Sequence, residues 1–111
     1  MTMTTEKKLP SWLTLTEDGA SIKLRKAVEC NGVKVNTLNM RAPCVLDVRQ
    51  ATQQSAGDDE KREVILLASL ADVGTKDVEG LTVVDYNRLQ AGYFRLVEDD
   101  EPYPYDAASG R

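Results

Sequence analysis

The sequence contains no histidine, which removes the commonest general base and the commonest metal ligand among the side chains. It has two cysteines, Cys30 and Cys44, and two thiols without histidine do not make a usual zinc site. Nor can they bridge one another. Cys30 sits at a turn and Cys44 beyond the far end of the following strand, roughly 20 Å or more apart at ~3.3 Å per strand residue. Two free thiols are expected, as a reducing cytoplasm would leave them. Cys44, close to a helix start, reads as a small half-buried hydrophobe rather than a nucleophile.

Other absences narrow the field further. No apolar run approaches the ~20 residues of a membrane span, and the first ten residues, MTMTTEKKLP, lack the apolar centre of a signal peptide. The glycines form no phosphate-cradling spacing. Neighbouring carboxylates occur only where water is expected, at Asp58-Asp59 and in the run Glu98-Asp99-Asp100-Glu101. No enzyme, cofactor or metal site is expected, which leaves binding.

Charge is unevenly placed in a chain of net charge −4. The first 41 residues carry seven Lys/Arg against four Asp/Glu, while residues 98–111 carry one arginine against five acids. The cluster Lys23, Arg25, Lys26 is too small for a nucleic-acid surface, which concentrates basic charge on one face. It reads as a solvated strand face.

What is present predicts an α+β fold of one domain. Asn31-Gly32 supplies the two positive-φ positions of a type I′ hairpin turn. Strands are expected at residues 21–29 and 33–41, with a shorter one at 12–16 that would extend the hairpin to a three-strand meander. Ile22, Leu24 and Val28 alternate with Lys23, Arg25 and Ala27. After the turn, Val33 and Val35 hold one phase and Leu38 and Met40 the other. Both sets reach one core only if the ladder absorbs an extra residue, so a bulge is expected near Asn36-Thr37 or Lys26-Ala27.

Three helices follow in expectation. The first spans 43–54, with Pro43 at its first position and an apolar stripe through Val45, Leu46, Val48 and Ala51. The second spans 58–72 behind an acidic start and is the most apolar. The third spans 82–97, where Thr82 and Asp85 form an acidic capping box and Leu81 and Tyr86 a hydrophobic staple. Gly92 inside it calls for close packing against a neighbour such as the sheet. Thr75 to Gly80 is a connector with room for one helical turn. A disordered lead-in (1–10) and an acidic disordered tail (98–111) flank a domain over 11–97.

The order of these signals resembles the tail assembly chaperone family of tailed phages, in particular the protein-E-like group of contractile-tailed phages. The resemblance is carried by SIKLRKAV, Asn31-Gly32, Leu38-Asn39-Met40-Arg41-Ala42-Pro43, Asp47, EVILLASLADV, and Leu81-Thr82-Val83-Val84-Asp85-Tyr86, over about residues 21–97. It implies a non-enzymatic protein of the host cytoplasm, or of a cell carrying a prophage. Such a protein binds the tape-measure protein and helps recruit tail-tube protein during assembly. It also implies that Arg41, Asp47, Asp85 and Tyr86 keep the fold. Candidate contact residues are Tyr93, Phe94 and Val97, in a groove expected between the third and second helices. Tyr103 and Tyr105, interleaved with Pro102 and Pro104, are a second candidate contact. Self-association stays open, as does the alternative of a structural tail-completion or connector component.

Overall fold

Residues 9–98 are described by a computed structural model. The element order is β1 (Leu13–Leu15), β2 (Gly19–Cys30), β3 (Val33–Arg41), α1 (Val45–Ser55), α2 (Asp59–Ala71), α3 (Thr75–Glu79) and α4 (Val83–Val97). The strands form one antiparallel sheet in the order β1-β2-β3, so the meander forms. The hairpin turns at Asn31 (φ 55°) and Gly32 (φ 79°), the left-handed pair that a two-residue loop needs.

The irregularity lies where both expected positions converge. Lys23 pairs with Thr37 and Val28 with Val35, so Leu24, Arg25, Lys26 and Ala27 stand opposite Asn36 alone. The offset is three residues rather than one, and being odd it has the same effect on phase. Ile22 opposite Leu38 and Val28 opposite Val35 all join the core or pack against it. Val33 does not, and is 61% exposed. One face of the hairpin's base, with Ile22, Leu24, Leu38 and Met40, is buried under the helices. α4 lies along β2, α2 packs on β3, and α1 covers α2.

Several boundaries differ from expectation. α1 begins at Val45, not Pro43. Cys44 is extended (φ −110°, ψ 171°) and acts as N-cap, because its backbone N–H donates to the Asp47 carboxylate at 2.9 Å. That bond sets the first turn two residues beyond the proline. Asp58 and Asp72 are the caps of α2 rather than members of it, whereas Thr82 is the N-cap of α4, as its capping role in the sequence implies. The connector holds a short helix of its own, so the described residues form four helices. Asp77 nucleates α3 by accepting from the Gly74 N–H at 3.0 Å. Leu9, inside the expected lead-in, is half-buried against the core. Cys30 and Cys44 are both free thiols; Cys30 is buried, but Cys44 is exposed rather than half-buried.

α2 is the most buried helix, with Leu66, Leu67, Ala68, Leu70 and Ala71 all inside. Gly92 does meet the sheet. A Cβ there would stand 3.0 Å from Ile22 Cδ1 and 3.6 Å from Met40 Cε, so the missing side chain lets α4 settle onto two fully buried residues. Leu89, one turn earlier and fully buried, adds about 2–3 kcal/mol of burial to the same contact.

Candidate functional site

α4 is held from three sides, and each hold turns a different face outward or inward. At its start Thr82 Oγ1 accepts from the Asp85 N–H at 3.2 Å. Only this half of the expected capping box forms. The Asp85 carboxylate does not turn back to Thr82 but leaves its own helix, accepting from the Arg25 N–H at 2.7 Å and the Lys26 N–H at 3.2 Å. These are the backbone donors that the bulge takes out of the ladder, and a buried donor left unpaired would cost about 1–3 kcal/mol. One fully buried carboxylate thus satisfies the bulge and docks the helix.

On the strand side, Arg88 donates to the Lys23 carbonyl at 2.8 Å and stacks its guanidinium 5.1 Å over the Trp12 ring. On the α2 side, Glu63 accepts from the Tyr86 hydroxyl and, at 2.9 and 3.0 Å, from Gln90 Nε2. Burial, and then this contact with Glu63, push the Tyr86 phenol well above its ordinary value. Leu81 and Tyr86 are both half-buried against the core, as a staple requires. Hydrogen bonds at Tyr86 and Gln90 thus close the seam between α2 and the first half of α4, short of Tyr93, Phe94 and Val97, the residues of the expected groove.

What remains open is the outward face of α4. Val83, Asn87, Phe94 and Val97 recur at helical spacing, and the charged residues of the helix, Asp85, Arg88 and Arg95, all lie off this stripe. Val83 is 74% exposed, Phe94 60% and Val97 49%. Phe94 and Val97 are thus presented to solvent as the sequence reading asks of contact residues. Tyr93 is not fully so. It is half-buried against the core and meets Phe94 edge-on, with ring centroids 5.7 Å apart, so it backs the Phe94 ring more than it extends the surface. Tyr103 and Tyr105 lie outside the described residues. Val83 was not singled out from the sequence, where the signal of Leu-Thr-Val-Val lay in the staple at Leu81 and the cap at Thr82. Val45 and Leu46, assigned to a core stripe, are also exposed, at 77% and 58%. They lie off the face that α1 buries, which is that of Asp47, Ala51 and Ser55.

The Arg41, Pro43 and Asp47 motif closes the other end of the sheet. Arg41 donates to both Asp47 oxygens, at 2.7 and 2.8 Å, and Asp47 is 8% exposed. The Arg41 guanidinium, and then the Cys44 N–H, hold the Asp47 carboxyl well below the usual carboxylate range. A lowered folded-state pKa means the bond contributes fully above the unfolded value of about 4 and is lost as pH falls through the folded one. Because Arg41 is half exposed and solvent screens such pairs, Asp47→Asn should cost about 1–2 kcal/mol at pH 7. The gap between the two proteins should narrow steadily below about pH 4, as read by urea titration across pH.

Among the described residues, no group of three or more Cys, Asp or Glu is placed to hold a metal ion, and no helix is long and apolar enough to cross a membrane. The geometry offers an uncharged helix face on a rigid base, which can bind but carries no reactive pair. A family model described as "Phage tail assembly chaperone proteins, E, or 41 or 14" matches residues 21–98. That span runs from the first residues of β2 to the end of α4. No curated protein and no solved structure matches the chain.

Proposed function

The chain belongs to the phage tail assembly chaperone proteins of that description, and on this premise we propose that it binds the tape-measure protein through the outward face of α4 and helps recruit tail-tube protein. The work is done in the host cytoplasm, without catalysis. The observation that supports the reading is the uncharged stripe ending in Phe94 and Val97, both half or more exposed on a helix whose other faces are anchored. An amphipathic segment of a long helical partner would lay its apolar side along such a stripe and be kept soluble until the tube forms around it. Tyr93 supports the Phe94 ring from below, and Tyr103 and Tyr105 form a second contact.

Phe94→Glu tests this directly. Phe94 faces solvent, so the variant should keep a native circular dichroism spectrum and melting temperature. It should lose about 2 kcal/mol or more of affinity, roughly thirtyfold, for co-expressed tape-measure protein in a pull-down. Unchanged co-purification of the folded variant would remove α4 from the interface. Finding the protein stoichiometric in purified particles would replace the chaperone role with that of a structural component.

A further inference from the structure

The hairpin tip is tied to the helices by one residue. Asn31 donates its backbone N–H to Asp77 Oδ2 at 3.3 Å and its side-chain Nδ2 to the Asp72 carbonyl at 3.2 Å. Asp72 and Asp77 flank the link between α2 and α3, so these two bonds fasten the end of the sheet to that corner. Beneath the tip lies Cys30, 5% exposed. Its thiol is further quieted because burial, and then the charge of Asp77, raise its pKa.

Asn31 is also exposed and is followed by Gly32, where nothing lies within 4 Å of the space a side chain would fill. We infer that Asn31 is a site of spontaneous deamidation, and that its conversion releases the hairpin tip from the α2–α3 corner and uncovers the Cys30 thiol. The Gly32 backbone nitrogen gives its proton to solvent base and attacks Cγ of Asn31. A C–N bond forms and the side-chain nitrogen leaves as ammonia. Water then opens the cyclic imide at either carbonyl to give aspartate or isoaspartate, with no oxidant or reductant involved. Either product replaces the Nδ2 donor with a carboxylate facing the Asp72 carbonyl, turning an attraction into a repulsion. Isoaspartate also adds a carbon to the backbone of a turn that tolerates two residues only.

Other positions lack this chemistry. Asn36, Asn39 and Asn87 precede Thr37, Met40 and Arg88, whose side chains hinder attack by the following nitrogen. At Asp18-Gly19 the Gly19 N–H is bound to Thr16 Oγ1 at 3.0 Å, and the residue is pressed against β3.

The experiment uses the full chain carrying Cys44→Ser, so that Cys30 alone reports. The protein is held at mildly alkaline pH, mapped by peptide mass and isoaspartate labelling, and sampled with a thiol reagent. Asn31 should convert before the other three asparagines. Reactivity of Cys30 should rise with the converted fraction to about tenfold, the effect of losing one or two hydrogen bonds from a local opening. Asn31→Asp should show the same rise without incubation. Conversion of another asparagine first, or an Asn31 that stays intact, would overturn the inference. So would a Cys30 whose reactivity stays flat in the converted protein.

Discussion

Asp85→Ala should lower the unfolding free energy by about 3 kcal/mol, since it removes the acceptor of two backbone donors at once. For a folded unit of this size that corresponds to a fall in melting temperature of roughly 12–24 °C. The cause lies in the sheet rather than in α4. Arg25 and Lys26 sit in the bulge, where four residues of β2 face one of β3, and their N–H groups bond to Asp85 instead of to a neighbouring strand. Asp85→Asn retains one oxygen but turns an amide N–H₂ toward a second donor, so it should cost about half as much. A loss within ~0.5 kcal/mol for Asp85→Ala, the scale of ordinary surface changes, would mean that water replaces the carboxylate and that the bulge does not depend on α4. The prediction bears on function because the bond sets the start of α4, and thereby which way Phe94 and Val97 face about three turns later.

Gly19→Ala is expected to be as damaging for a steric reason. Gly19 pairs with Arg41, and a Cβ on it would stand 2.0 Å from the Met40 carbonyl oxygen and 2.8 Å from the Arg41 Cα. These are backbone atoms, so no rotamer change relieves the clash. β3 itself must move, at a cost of about 3 kcal/mol or more. The strain would fall on Arg41, whose guanidinium closes α1 through Asp47. A double substitution of Gly19→Ala with Asp47→Asn should then cost less than the two single losses together, because both act on one joint. Urea titration of the four proteins measures this, and strict additivity would show that the two ends of the joint are independent.

Local chemistry made much of the fold legible. Asn31-Gly32 specified its turn because few residue pairs accept two positive φ angles. Thr82 and Asp58 marked helix starts because their side-chain oxygens cap nearby N–H groups, and the phase change between Val35 and Leu38 announced a bulge. The helix start at Pro43 failed because Asp47 reaches back to Cys44 and not to the proline. Cys44, Val45 and Leu46 failed as buried residues because the face that α1 buries is that of Asp47, Ala51 and Ser55, and its two polar members hid it from a search for an apolar stripe. At the candidate site, spacing identified Phe94 and Val97 as members of an apolar helix. It could not separate them from Leu89, which is fully buried, since both belong to one wide apolar face in the sequence.

The sequence by itself determined the absence of histidine chemistry, the α+β order, the hairpin turn, and the motif order that places the chain in its family. These follow from residue type and short-range spacing, which act within a turn or two of the chain. The tertiary structure alone decided that Asp85 serves the bulge some sixty residues earlier, that Asn31 ties the tip to the α2–α3 corner, and that Gly19 and Gly92 are small because a strand and two core side chains press on them. It also decided which face of α4 stays open. Each of these depends on which atoms long-range packing brings within about 3 Å, a distance that no local pattern encodes.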